Sequence, residues 1–119
     1  MGLNFKINNE IIDLKFSYGS FHDFRIKIAN KLGYKLEFKE NFDEWICNDY
    51  SKCDKFWWLF LTHNDYTGFI SHKLCGKIAI RMRLLIKEWD IKDNDYEKLL
   101  NLIEFMKFCK KNKTHLIFC

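Results

Sequence analysis

The sequence predicts an α+β domain that is mainly α, with three to four helices and a minimal sheet that pairs the N-terminal and C-terminal strands. Two observations predict the helices: apolar residues recur at helical spacing over residues 71–89 and again over 94–111. A third predicts the sheet, since short segments at both termini have a strand-like apolar character. Hydrophobic residues make up 48% of the 119 positions and no Pro-, Gly- or Ser-rich linker interrupts them, so residues 1–119 are expected to form a single domain.

The first segments are a strand and a helix. Leu3 to Ile7 alternates apolar and polar residues like a half-buried strand. Ser20-Phe21-His22-Asp23 has the Ser-x-x-acid form of a helix start. The expected inward face then carries Phe21, Phe24, Ile28 and Leu32, the opposite face carries Arg25, Lys27 and Lys31, and Gly33 closes the helix.

Residues 34–61 are harder to assign from periodicity. Residues 34–50 mix aromatic and acidic side chains without a clear period, which indicates an irregular stretch that lays Phe38, Phe42 and Trp45 onto the body. Asp54 is suited to cap a short helix over residues 56–61. A buried strand fits the same apolar run, so the choice between helix and strand stays open.

The C-terminal half predicts two long helices and a strand. Ser71 is the expected cap of the first, whose inward stripe is Cys75, Ile78, Ala79, Met82, Leu85, Ile86 and Trp89. The second begins at Asn94 or Asp95 and runs to Lys111, with Tyr96, Leu99, Leu100, Ile103 and Met106 facing inward. Residues 114–119 read as a strand that pairs with the N-terminal strand, because two lone edges would leave backbone groups unpaired.

Composition limits the function classes. The longest apolar run has six residues, far short of a membrane span, and the N-terminus has no secretory signal, so a cytoplasmic protein is expected. The five cysteines are odd in number and include no Cys-x-x-Cys pair, which favours reduced thiols and no metal or other cofactor. Lys107, Lys110, Lys111 and Lys113 are interpreted as a solvated helix end, which disfavours nucleic-acid binding. Homo-oligomerisation stays open.

Three stretches together resemble a known family. They are Ser17-Tyr18-Gly19-Ser20-Phe21-His22-Asp23-Phe24-Arg25, Thr62-His63-Asn64-Asp65-Tyr66-Thr67-Gly68 and the terminal Ile117-Phe118-Cys119. In order and spacing they are similar to a family of small uncharacterised proteins of bacteria and their phages, with Ser-Tyr-Gly-x-Phe-x-x-Phe-Arg, His-Ser-Asp-Cys-Asp-Gly and C-terminal Phe-Cys motifs. The resemblance implies a phage or mobile-element setting and no known reaction.

The same resemblance raises the question of a metal site. The family's Asp-Cys-Asp-Gly segment is similar to the later part of a calcium-binding loop, in which oxygen ligands alternate around a glycine. Here His63, Thr67 and Leu74 stand where that loop would need ligands. No metal is therefore expected.

The polar turn after the aromatic segment is a candidate binding site. His63, Asn64 and Asp65 follow the apolar residues 56–61 directly. One interpretation is structural: Asp65 forms an Asx-turn and Gly68 supplies a positive φ. The other is functional, since these side chains and the nearby helix start would favour an anionic small molecule or nucleotide.

The turn at Ser17, Tyr18 and Gly19 allows the same two interpretations. As a helix entry, Ser20 caps, Gly19 permits the bend and Tyr18 packs. As a binding site, Ser17, His22 and Arg25 are exposed donors beside an aromatic ring on which a base could stack. Whether this turn and the His63–Asp65 turn converge cannot be read from the sequence.

These features favour a small non-enzymatic binding protein. We expect it to sequester a nucleotide-type signal or to inhibit a host defence protein. A first alternative is a small hydrolase or nuclease that uses His63 or His22 with Asp65. A second is a protein-blocking factor of the immunity type, whose working surface is an exposed apolar or charged patch rather than a pocket.

Overall fold

The computed structural model describes residues 2–14, 16–39, 44–47, 54–63 and 67–119, and it confirms the mainly α, α+β architecture. The helices are α1 (Tyr18–Leu32), α2 (Lys55–Thr62), α3 (His72–Leu85) and α4 (Tyr96–Asn112), and a 3-10 turn spans Ile86–Glu88. The strands are β1 (Gly2–Leu3), β2 (Phe5–Ile7), β3 (Glu10–Ile11), β4 (Phe16–Ser17), β5 (Leu36–Lys39), β6 (Glu44–Cys47), β7 (Phe69–Ile70) and β8 (Leu116–Phe118).

The main sheet has the strand order β3-β2-β8-β7, with every neighbouring pair antiparallel. Phe5 lies opposite Phe118, and Ile70 lies opposite Leu116. The predicted pairing of the N-terminal and C-terminal strands is confirmed. Strands β3 and β7 were not predicted, because two residues are too few to show an alternation.

A tight hairpin joins β2 to β3 through Asn8 and Asn9. Both residues have positive φ, at 54° and 66°. Asparagine tolerates this left-handed conformation better than most residues, and two such residues in succession form the turn that matches the twist of paired strands. The hairpin therefore folds β3 back along the outer side of β2.

Helices α3 and α4 pack against each other and supply much of the core. Five residues of the predicted α3 stripe, from Cys75 to Leu85, are buried, but the regular helix ends at Leu85 and Trp89 is buried from the extended segment that follows. In α4 the prediction for Leu100 is wrong: it is 37% exposed, whereas Leu102 is fully buried. Residues 99, 102, 103, 106 and 109 form the inward face, whose spacing of three and four residues leaves position 100 at its edge.

Two segments that periodicity left unclear are now assigned. Residues 36–39 and 44–47 form the antiparallel β5–β6 hairpin, so the prediction of an irregular stretch is wrong there. Leu36-Glu37-Phe38-Lys39 does alternate apolar and charged residues, but this alternation spans only four residues within a longer stretch that has no clear period. The predicted packing of Phe38, Phe42 and Trp45 falls outside the described residues and side chains. The Trp57-Trp58 segment belongs to helix α2, capped by Asp54 as the sequence suggested.

The centre of the core is aromatic. We name Phe5, Phe21, Phe60 and Phe118 the Phe118 cluster, and all of its members are almost completely buried. Phe118 lies edge-on to Phe5 with ring centroids 4.9 Å apart, and Phe21 lies 6.2 Å from both Phe60 and Phe118. These are favourable edge-to-face separations. The cluster joins β2, α1, α2 and β8 at one point.

None of the helices among the described residues is both long and apolar enough to cross a membrane.

Asp54 gives a stability prediction with a defined pH dependence. Its carboxylate accepts hydrogen bonds from the N–H groups of Phe56 and Trp57 and from Arg81 Nε at 2.8 Å. Burial raises the pKa of Asp54, but the bonds from Arg81 and from the two N–H groups outweigh it and hold the pKa below its ordinary value. We expect Asp54→Ala to lower the free energy of unfolding by about 1–2 kcal/mol at neutral pH.

Because the folded-state pKa is depressed, this contribution is present above the ordinary carboxyl pKa of about 4 and is lost as the pH falls through the folded value. Urea unfolding of wild type and variant at pH 7 and near pH 3 measures it. The difference in free energy of unfolding between wild type and Asp54→Ala should shrink at low pH. The control Glu88→Ala, which removes an exposed carboxylate, should differ little from wild type at either pH. A difference that stays constant would contradict the assignment.

Candidate functional site

The Ser17–Arg25 segment is a helix entry whose details differ from the prediction. Ser17, not Ser20, is the N-cap of α1: its Oγ accepts a hydrogen bond from the Ser20 N–H at 3.0 Å. Ser20 lies in the first turn, and its hydroxyl donates back to the Ser17 carbonyl at 3.1 Å. Gly19 is helical and has open space where a Cβ would stand, so no bend requires it. Ser17 and Ser20 are three residues apart and offer the same cap chemistry. The Ser-x-x-acid motif predicted Ser20, whereas the cap is Ser17.

Arg25 is the largest fully buried side chain of the described residues, so the prediction of an exposed donor is wrong. Its guanidinium lies 4.2 Å from the centroid of the Phe21 ring and 5.8 Å from that of Phe60. Such cation–π contacts strengthen when water is excluded. The signal was present in the sequence, because position 25 is four residues after Phe21 and three before Ile28, on the inward face of α1.

His63 packs onto the end of the main sheet. Its ring stacks on Phe118 with centroids 4.2 Å apart, and Nε2 lies 3.2 Å from the Phe69 carbonyl, which accepts a hydrogen bond from the Nε2–H tautomer. Gly68 has a φ of 90°, and a Cβ there would come within 3.3 Å of the His63 ring. The positive φ predicted for Gly68 is therefore observed. His63 couples the end of α2 to β7 and β8.

The remaining predicted site residues can be placed only in part. Asn64 and Asp65 lie outside the described residues, as does the side chain of Tyr18. His22 is partly buried on α1. The pairing of His63 or His22 with Asp65 for hydrolysis therefore stays a prediction, as does ligand binding by this set.

One residue of each predicted segment, Arg25 and His63, contacts the same part of the molecule. Arg25 contacts Phe21 and Phe60, and His63 contacts Phe118, so both reach the Phe118 cluster. The surroundings common to Arg25 and His63 are the aromatic interior of the domain. The described contacts of Arg25 and His63 thus explain how the core is assembled, and they offer a ligand little exposed chemistry.

The buried cysteines have a packing role. Cys75 on α3 and Cys109 on α4 are both fully buried, and the Cys75 thiol donates to the Ile70 carbonyl at 3.4 Å. The pKa of the Cys75 thiol is raised far above its ordinary value. The main cause is its contact with Cys109, and burial is the second cause. A thiol that stays protonated at neutral pH is a poor nucleophile. Over the described ranges, His, Cys, Asp and Glu side chains form no group of three that could hold a metal ion.

A large groove lies elsewhere, between α3, α4 and the β2–β3 hairpin. We name it the α3–α4 groove, and its volume is about 980 Å³. Its lining combines apolar and charged residues: Ile7, Asn8, Glu10, Ile12, Gly76, Ala79, Ile80, Arg83, Glu104, Phe105, Lys107, Phe108, Lys110 and Lys111. Two lining side chains, Ile80 and Phe108, are 49% and 45% exposed, so the groove presents apolar area to solvent beside its charged residues.

Gly76 shapes one end of this groove. A Cβ at this position would lie 2.5 Å from Lys110 Cδ and 3.0 Å from its Cγ. The absence of a side chain thus lets the alkyl stem of Lys110 lie directly across α3. Long lysine stems commonly cover apolar surface in this way while the ammonium group stays in water.

Sequence reasoning missed the groove, although part of its signal was present. Ile80 on α3 and Phe108 on α4 do not belong to the predicted inward stripes, and both are exposed. Apolar residues beyond the core stripe indicate a second contact surface. The β2–β3 hairpin packs beside these helices through contacts between residues distant in sequence, which periodicity does not predict.

No protein-family model, no curated protein and no solved structure matches the chain. The resemblance drawn from the three sequence motifs therefore stays a prediction.

The environment of Arg25 predicts a structural effect of its removal. Arg25→Ala should lower the free energy of unfolding by about 2–5 kcal/mol, because it leaves a cavity beside Phe21 and Phe60. Arg25→Met, which keeps most of the volume, should recover part of the loss. Asn30→Ala, an exposed change on the same helix, is the control. Chemical denaturation measures all three, and an Arg25→Ala variant as stable as Asn30→Ala would contradict the structural role.

Proposed function

We propose that this chain is a non-enzymatic binding protein that holds a protein partner in the α3–α4 groove. The observation that carries the proposal is the exposure of Ile80 and Phe108 within a concave surface of about 980 Å³. Exposed apolar residues inside a polar rim are the common composition of a protein interface. This develops the expectation of a protein-blocking factor, whose working surface is an exposed patch.

The contacts of the predicted turns support the same choice. A nucleotide would need exposed donors, whereas Arg25 is completely buried and His63 is stacked on Phe118. The groove, in contrast, presents both apolar area and charge at the surface. Protein binding therefore has more support in the described residues than sequestration of a nucleotide.

The sequence resemblance supports a biological setting for this activity. A protein of a phage or mobile element that binds a host protein without catalysis would act by blocking it. An inhibitor of a host defence protein is thus the role we propose. Its support is the likeness of the three motifs, together with a surface suited to a protein partner.

Selection from a random peptide library tests the groove without a known partner. Peptides of about 16 residues are enriched on the wild-type protein, and their affinities are then measured against an Ile80→Asp/Phe108→Asp variant. Burying a carboxylate in the interface should weaken binding by about tenfold or more. Both positions are exposed, so the melting temperature should change little.

Ile91→Asp is the matched control, because Ile91 is 75% exposed and does not line the groove. It should bind the selected peptides like wild type. Mass spectrometry of the eluted peptides should find them intact, whereas cleaved products would indicate a hydrolase. Equal binding by wild type and the groove variant would overturn the proposal.

A further inference from the structure

We infer that the occupant of the α3–α4 groove is an amphipathic α-helix with acidic flanks. This rests on the proposed function and deepens it, since it assigns the chemistry of the partner. The inference depends on three features of the groove: the sign of its charge, its length along the helices, and its concave apolar floor.

The charged lining residues are mainly basic. Arg83, Lys107, Lys110 and Lys111 face only two carboxylates, Glu10 and Glu104. Lys107 and Glu104 form an exposed ion pair at 3.5 Å, and it is the only ion pair of the described residues that involves the lining. Arg83, Lys110 and Lys111 therefore leave an excess of positive charge, which acidic side chains of a partner would complement.

The spacing of the lining residues fits a helix. On α3 they fall at positions 76, 79, 80 and 83, and on α4 they extend from 104 to 111. Seven residues rise roughly 10 Å at about 1.5 Å per residue, which is close to two helical turns. A docked helix presents its anchors at the same three- and four-residue intervals over such a length. An added strand has less support, because the edge strand β3 contains only two residues.

The apolar floor receives the other face of the partner. Ile7 and Ile12 come from the β2–β3 region, Ala79 and Ile80 from α3, and Phe108 from α4. Leucine-sized side chains of an amphipathic helix would bury the exposed parts of Ile80 and Phe108. Removing this apolar area from water favours the complex, in proportion to the area buried.

Charge and shape also disfavour the other occupants. A second copy of the chain would bring the same basic rim against itself in a two-fold interface, so like charges would repel. A flat membrane surface would not fill a concave groove. Nucleic acid prefers a polar, strongly basic interface, whereas this one has apolar residues and two carboxylates.

Defined peptides test the inference by fluorescence anisotropy with the full chain. The probe is a labelled peptide of about 18 residues with leucines at helical spacing and glutamates beside them. Two controls match it in length: one has lysine in place of each glutamate, and the other keeps the composition but scrambles the leucine spacing. The acidic helix should bind at least about tenfold more tightly than either control.

Charge reversal on the protein supplies the matching variant. Arg83→Glu/Lys110→Glu/Lys111→Glu should lose the acidic peptide and gain the basic one, while Ile91→Asp should behave like wild type. The inference would be overturned if either the basic peptide or the scrambled peptide bound wild type as tightly as the acidic peptide does. So would efficient displacement of the peptide by duplex DNA of about 20 base pairs, by anionic lipid vesicles, or by self-association at the peptide site.

Failure of this inference can be separated from failure of the proposed function. If library peptides of another composition bind wild type and lose affinity for Ile80→Asp/Phe108→Asp, the groove is a binding surface and only the acidic helix is wrong. If that variant binds library peptides as wild type does, the groove itself is not the interface.

Discussion

The pairing of β8 with strands on both of its sides is the constraint on which the rest of the structure depends. The Phe118 N–H donates to the Gly68 carbonyl, and Cys119 and Asn4 exchange two backbone hydrogen bonds of 2.9 and 3.0 Å. The Phe118 side chain contacts Phe5 and lies within 6.2 Å of the Phe21 ring, while His63 stacks on its face. One strand thus joins the N-terminal strands, α1 and the segment after α2. Closing contacts between residues so distant in sequence costs loop entropy, so this pairing is expected to slow folding.

The same strand sets the shape of the α3–α4 groove. Helix α4 ends at Asn112 and is capped by Lys113, which has a left-handed φ of 53°. The Thr114 hydroxyl then donates to Asn8 Oδ1 at 2.8 Å. This short connection holds the β2–β3 hairpin beside α4, where it forms a wall of the groove. The opposite wall is α3, held at close range by the buried contact of Cys75 with Cys109 and by the Gly76–Lys110 crossing.

Local chemistry made much of the fold predictable, and long-range packing explains what was missed. The helices α1, α3 and α4 follow from the spacing of their apolar residues, and the pairing of the terminal strands follows from the need to satisfy backbone groups. Arg25 is predicted on the exposed face of α1 because a charged residue is expected at the surface. Its position in the helix faces inward, however, and its cation–π contact with Phe21 permits its burial. The groove could not be predicted from periodicity, since its residues come from α3, α4 and the β2–β3 region, whose proximity depends on β8. The exposed Ile80 and Phe108, which lie off the predicted inward faces of α3 and α4, were local traces of it.

Native-state hydrogen exchange measures most directly whether β8 closes the fold. The amides of Asn4, Phe118 and Cys119 lie in the ladder between β2, β8 and the Gly68 carbonyl. If the strand is integral to the fold, these amides exchange only through global unfolding, with the same free energy as buried amides of α3 and α4. Phe118→Ala should then lower the protection of all of them by the same amount. Rapid exchange at Phe118 and Cys119 while α3 and α4 stay protected would show that β8 detaches independently, and would contradict its role as the element that unites the domain.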